Sequence, residues 1–503
     1  MRNCWWGSLH QTGSRKTTGN RWTLEVLSHN FGPASRRALL DEDLRAALDR
    51  AEAGFVHTRK SETEKLLNFE AFREFGEQIK DHVLQHLDHY LLEFEKNVVK
   101  NGGHVHWANN GEEANQQILG ICKRANARKI AKGKSMVSEE AATNRSLEAR
   151  GYEVVETDLG EYIIQLAKES PSHIIAPALH KSKQNVIDLF HAHHAKLGYG
   201  EKVMERTGIV SQARQVLRDH FCSADVGITG SNFLVAETGS AVIVTNEGNG
   251  DLSSSLPRVH IVVASMEKVI PDLESLGGFL RLLGRSATGQ VMTVYTSVFN
   301  GPKRARDLDG PEEFHVILLD NGRSGILGSA YQDILRCIRC GACMNHCPVY
   351  TSIGGHAYGW VYPGPMGSVL TPLLVGRDKA ADLPYACSLN GRCETVCPVK
   401  IPLPSLLRKH RAELTESNHI SRQSKFWMWM WYQLAVSPRL YQKVANFLGQ
   451  VLYWGKKCMP RDKRGRFGWM PLAGPWVASR DLPAPSRKTF QKQWKDANLK
   501  TRP

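Results

Sequence analysis

The stretch ADVGITGSNFLVAETGSAVIVTNEGNGDLSSSLPRVHIVVAS, residues 224–265, contains three short apolar runs: ADVGITG (224–230), SAVIVTNEG (240–248) and RVHIVVAS (258–265). Each is rich in Val, Ile or Ala and is bounded by Gly, Asn, Ser or Pro. That pattern predicts strands buried on both faces, as in a parallel sheet, not strands with one wet face. Working outward, GYEVVETD (151–158), HIIAPAL (173–179), MTVYTS (292–297) and HVILLD (315–320) read the same way. Between them, SMVSEEAATNRSLEARG (135–151) and KQNVIDLFHAHHAKLG (183–198) have helical spacing. Strand and helix alternate from about 101 to 325, which predicts an α/β domain with a mainly parallel sheet. Leu66, Leu67, Phe69, Phe72 and Phe75, then Ile79, Val83, Leu84, Leu87 and Tyr90, place a helical stretch before it. Asn249-Gly250-Asp251 reads as a turn.

The chain has 503 residues. Hydrophobic residues make up 42% and charged residues 23%, which excludes a disordered or collagen-like chain. Mean hydropathy is −0.35, and no apolar run approaches the ~18–20 residues of a spanning helix. The net charge of +15 is local. Residues 401–503 hold 20 Lys+Arg against 5 Asp+Glu, so the first 400 residues are neutral overall. The first 24 residues contain no acid and no apolar secretory core, so secretion is not expected; a transit segment or a simple extension both fit. These features divide the chain into an N-terminal extension (1–60), the α/β domain with its leading helices (61–325), a cysteine-rich segment (326–415) and a basic, Trp-rich region (416–503).

Seven of the eleven cysteines lie between 337 and 397. An odd count and tight local clusters argue for metal ligation in a reducing compartment, not a disulfide framework. The first cluster is Cys337-Ile-Arg-Cys340-Gly-Ala-Cys343-Met-Asn-His-Cys347-Pro348, the C-x2-C-x2-C-x3-C-P run of ferredoxin-type 4Fe–4S proteins. Zinc is disfavoured, because zinc ribbons use two separated C-x2-C pairs, and the spacing of radical SAM sites is absent. The second is Cys387-Ser-Leu-Asn390-Gly-Arg-Cys393-Glu-Thr-Val-Cys397-Pro398, with Asn390 where the register asks for cysteine. In two-cluster ferredoxins the fourth cysteine ligates the other cluster. One cluster then takes Cys337, Cys340, Cys343 and Cys397, and the other takes Cys347, Cys387 and Cys393. The second is expected to be 3Fe–4S, or 4Fe–4S with an iron held by Asn390, water or another ligand. Its spacing resembles the three-iron motif of the succinate dehydrogenase iron–sulfur subunit. No GxGxxG follows a predicted strand, so neither flavin nor nicotinamide is indicated.

Both cysteine motifs, GGHVHWANNGEEANQQILGIC (102–122), KSMVSEEA (134–141), residues 225–271 and SRDLPAPSRKTFQKQWK (479–495) together resemble the lactate utilization protein B family. The resemblance implies a lactate-utilization (LUD) domain related to the isomerase and CoA-transferase folds, followed by an α-helical ferredoxin-like module. It implies an electron-transfer subunit of an L-lactate-oxidising complex, working with the system's A and C proteins. The expected location is the cytoplasm, with peripheral contact at the inner membrane face left open. Family members usually carry cysteine where Asn390 stands.

The α/β domain offers Lys134-Ser135, Thr229-Gly230-Ser231 and Glu237-Thr238-Gly239-Ser240 at predicted strand ends, where ligands bind in open α/β sheets. Lys134 is a candidate anion-binding residue and Glu237 a candidate base or nucleophile, as in a sugar-phosphate or CoA-ester enzyme with structural clusters; ordinary loop roles remain the alternative. His104 and His106 read as core or loop residues and His191, His193 and His194 as a solvated helix face, while His346 beside Cys347 is a candidate charge near a cluster. Phe426 to Tyr432 is a run of aromatics and Met in a basic region. It suits packing with a subunit contact, or a membrane surface. No nucleic-acid partner is expected.

Overall fold

The computed structural model describes residues 25–417, 422–455, 466–467, 482–483 and 486–500. Residues 1–24 and part of the 479–495 motif lie outside that set. Ten strands build the α/β region: β1 His104–Ala108, β2 Lys129–Lys132, β3 Glu153–Glu156, β4 Val226–Thr229, β5 Phe233–Val235, β6 Ser240–Thr245, β7 Val259–Ser265, β8 Val269–Ile270, β9 Tyr295–Phe299 and β10 Glu313–Leu319. Six form a parallel sheet in the order β1-β10-β7-β4-β2-β3. The central strands β4 and β7 are buried along their whole length, as their unbroken apolar runs require. The other four form a second sheet, β8-β5-β6-β9, in which β5/β6 and β6/β9 are antiparallel.

Several expectations are corrected. HIIAPAL (173–179) is not a strand. His173 Nδ1 accepts from the N–H groups of Ile175 and Ala176, each at 3.0 Å, and this curls the segment into a turn. The 135–151 helix is two helices, Met136–Glu140 and Thr143–Glu148, separated by Ala142 at φ 53°. Asn115 Nδ2 takes the Ala141 carbonyl at 2.7 Å, which removes it from a continuous ladder. The Asn249 turn opens a helix, Asn249–Ser255, entered through Gly248 at φ 72°. That helix lies directly on β4, and a Cβ on Gly227 would sit 1.7 Å from the Ser253 carbonyl oxygen. His194 is buried, bonded to Tyr162 and Gln212 at 3.0 Å each, so it does not belong to a solvated face.

Helix also begins well before residue 60. Phe31–Leu40 is followed by Glu42–Lys65, capped by Asp41, which accepts from Leu44 N–H. Phe69–Gln85 and Leu87–Lys100 continue the helical array. A single apolar core joins Leu84, Phe233, Val235, Phe279 and Leu282 to Ile338, Cys340, Met344, Cys347 and Cys397. The α/β region and the cysteine segment therefore form one compact unit that ends at Ser417.

A second unit spans 418–503. Its described helices are Arg422–Val436, Pro438–Gly455 and Phe490–Lys500. No residue of the first is buried, and Trp427, Trp429 and Trp431 are more than half exposed, so the aromatic run is not core packing. Among the described residues no helix is long and apolar enough to cross a membrane.

Candidate iron–sulfur centre and the adjoining crevice

The two cysteine loops repeat one backbone. In the first, Arg339 (φ 59°) and Gly341 (φ 74°) are left-handed and lead into the short helix Ala342–Asn345. In the second, Leu389 (φ 57°) and Gly391 (φ 81°) do the same before Arg392–Thr395. Asn390 therefore occupies the position of Cys340 without disturbing its loop. It is exposed, and its Oδ1 accepts from Arg392 N–H at 3.1 Å.

The seven thiols of the two motifs gather where the loops meet. Burial raises Cys340 to about 12, with Cys397 and Cys337 adding to the rise. Burial also raises Cys397, to about 11, with Cys337 beside it. Cys393 is raised to about 12 by burial and by Cys387 and Cys347. Cys343 is raised by burial and then by Cys337, Cys340, Cys393 and Cys397, so thiols of both motifs adjoin it. Such thiols keep their protons unless a metal ion displaces them. Among the described residues no three cysteine sulfurs lie within 4.8 Å of one another. A single tetrahedral zinc, with Zn–S about 2.3 Å, needs sulfurs about 3.8 Å apart.

Backbone and cationic groups complete the surroundings. Ile401 N–H donates to Cys397 Sγ at 3.4 Å and Leu389 N–H to Cys387 Sγ at 3.2 Å. Arg59 donates to Val396 O at 2.8 Å and Arg73 to Cys397 O at 2.9 Å, so both leading helices clasp the second loop. Lys80 is buried beside Cys337 and donates to the Glu267 carbonyl; its burial lowers it to about 8. Burial lowers His346 to about 4, and its Nδ1 lies 2.9 Å from Ala342 O.

A buried ionic chain ties the first loop to the parallel sheet. Arg339 Nη2 lies 3.1 Å from Glu267 Oε1, and Arg323 Nε lies 2.9 Å from Glu267 Oε2. Arg323 then grips Glu140 with both terminal nitrogens at 2.8 and 2.7 Å, and Tyr362 donates to Glu140 at 2.7 Å. Sequence reading missed Lys80, Lys268 and Glu267. The one available signal was their position: Glu267 and Lys268 directly follow the apolar run of β7.

A cavity of about 260 Å³ lies at the C-terminal ends of β2 and β4. Its walls include Lys134, Ser231, Asn232, Asp158, Glu247, Lys268 and Arg339. Lys134 is therefore where the sequence placed it, donating to Ile175 O at 2.5 Å. Glu237 is not there. It sits on the β5–β6 turn, exposed, and accepts from Leu273 N–H at 3.2 Å. The turn packs on the Leu87–Lys100 helix, where Asn97 donates to the Glu237 carbonyl at 2.9 Å. Gly239 at φ 66° allows that approach, since a Cβ would fall 2.5 Å from Val98 N. Of the two candidates, Lys134 lines the cavity and Glu237 does not.

Fold and site together define an iron–sulfur protein built on a LUD domain. A LUD domain model matches residues 91–319 and a 4Fe-4S dicluster domain model matches residues 333–401. Lactate utilization protein B of Bacillus pumilus is 46% identical over 94% of this chain and 98% of its own. The proteins of that name from Shouchella clausii and Lysinibacillus sphaericus are 45% and 44% identical, over 94% and 93% of this chain and 98% and 97% of theirs. The chain belongs to the lactate utilization protein B family, and its cofactors are of the 4Fe–4S class.

Proposed function

We propose that this chain is the electron-transfer subunit of a system that oxidises L-lactate to pyruvate. Cys337, Cys340, Cys343 and Cys397 would hold a 4Fe–4S cluster. Cys347, Cys387 and Cys393 would hold the second, and three thiolates suit a three-iron form. The observation that carries the reading is the gathering of seven buried or half-buried thiols from two adjoining loops inside one compact unit. When bound, such clusters accept and release single electrons. Lys80 and Arg339 offset the negative charge that gathers at Cys337, and the surrounding apolar core keeps water out. The names of the relatives imply partners within a lactate utilization system, here read as its A and C proteins. The exposed aromatic helix Arg422–Val436 suits a docking contact with them or with a membrane surface. Glu237, exposed and outside the cavity, gives the CoA-ester reading no support.

The test uses the full-length, anaerobically purified chain. Dithionite should reduce both clusters, as seen by EPR. Lactate with the A and C proteins should reduce them too, and Cys337→Ser should abolish that reduction. Clusters that dithionite reduces but lactate with the partners leaves oxidised would refute the proposal.

A further inference from the structure

In the parallel sheet, β2 is followed by β3 at the edge, and the chain then returns to β4 on the other side of β2. From β4 it runs on through β7 to β10, in the opposite direction. The loops leaving β2 and β4 therefore diverge. That is a topological switch point, the place where open α/β sheets leave a ligand crevice beyond the strand ends. The 260 Å³ cavity lies there, between Gly133–Met136 after β2 and Gly230–Asn232 after β4.

The charges in this crevice are unbalanced on one wall. Lys134 donates to the Ile175 carbonyl and Lys268 to the Ser231 carbonyl, which leaves each ammonium two further donors. Among the described residues neither has a carboxylate within 4.0 Å. Lys80 and Arg339 are the cations that lie against Cys337. The charged neighbours of Lys268 are Glu267, Arg339, Arg323 and Glu140, with no thiol among them. The remaining wall carries Asp158 and Glu247. Glu247 is raised by its surroundings and by Asp158, and accepts from Leu159 N–H at 3.1 Å.

We propose that this crevice binds a small hydroxy- or oxo-carboxylate anion, its carboxylate held by Lys134 and Lys268. The carboxyl wall accepts a hydroxyl proton donor and repels a phosphate dianion. Entry is available, because Asn246, Glu247 and Asn249 also line a wider surface groove of about 750 Å³. The inner end meets the first cysteine loop. Asn232, Lys268 and Arg339 are shared with a small void that touches Cys337. A bound acid would thus lie beside the electron acceptor, through the same loop that ligates it. The electron route rests on the proposed function; the binding site does not.

The test is calorimetric titration of the anaerobically purified full-length protein with pyruvate, glycolate and inorganic phosphate, with EPR of the reduced protein before and after pyruvate. We expect saturable binding of pyruvate and glycolate, weaker binding of phosphate, and an altered EPR spectrum. Lys134→Met and Lys268→Met should each weaken pyruvate binding at least tenfold with iron content unchanged. Lys268→Arg should stay within threefold of wild type, and Glu237→Gln, outside the crevice, should be unaffected. No saturable carboxylate binding by the wild-type protein, phosphate bound as tightly as pyruvate, or full affinity in both Met variants would overturn the site. Loss of the electron-transfer reading would show separately, as clusters that do not reduce while calorimetry still detects binding.

Discussion

Arg339, inside the first cysteine loop, and Glu267, in the turn just after the central strand β7, meet at 3.1 Å in the interior of the protein. Glu267 is 2% exposed, so neither group can turn to water instead. Arg323 and Arg339 hold its carboxyl down to about 2 against the opposing effect of burial. The contact makes the cluster loop and the parallel sheet one electrostatic object.

Replacing Glu267 by Gln leaves Arg323 and Arg339 short of a counter-charge. Removing one partner of a buried pair costs about 3–5 kcal/mol. The expected result is a clear fall in the thermal midpoint and faster loss of cluster absorbance on warming. An unchanged midpoint would show that the ionic chain is dispensable.

Asn390→Cys supplies a thiol in a loop whose backbone already matches that of Cys340. Iron should rise from about seven to about eight per chain, and the oxidised-state EPR signal of a three-iron cluster should vanish. A wild-type protein silent when oxidised would mean the second cluster already has four irons.

His173 must stay neutral. Its Nδ1 accepts two backbone N–H groups, so its Nε2 donates to Asn345 Oδ1 at 2.9 Å, on the helix of the first motif. Burial lowers it from 6.5 to about 4. Because the folded value lies below the unfolded one, the unfolded chain takes up the proton first as pH falls. Stability is full above about pH 6.5 and declines toward pH 4, by at most about 3 kcal/mol from this group. Thermal midpoints measured across that window should drop in the wild type and drop less steeply in His173→Gln. Parallel slopes would assign the acid sensitivity elsewhere.

Lys132 is fully buried between Glu156 Oε1 at 2.6 Å and Glu139 Oε1 at 3.1 Å. Burial opposes its charge, but the two carboxylates and nearby Glu161 win and its pKa is raised. Lys132→Met strands those carboxylates, and a loss of about 3–5 kcal/mol is expected in denaturant unfolding. A loss below about 1 kcal/mol would mean the acids simply take up protons.

The cysteine motifs, the buried parallel strands and the basic tail were all legible from residue order. Cysteine spacing is a local property, and a strand buried on both faces needs an uninterrupted apolar run wherever it sits. What residue order could not convey was partnership across long separations. Glu237 and Lys134 both sit at strand ends, yet only the path of the β5–β6 turn against the Leu87–Lys100 helix decides that they never meet. HIIAPAL has the composition of a strand, and a single histidine bonded to Asn345, 172 residues away, makes it a turn. Lys268 has no motif around it. It matters because the chain reverses between β2 and β4, and because the cluster loop brings Arg339 to the opening this reversal leaves. Spacing along the chain determines which chemistry each segment can perform. The order of strands in the sheet decides which of those chemistries share a site, since contacts between distant segments depend on topology and not on local preference.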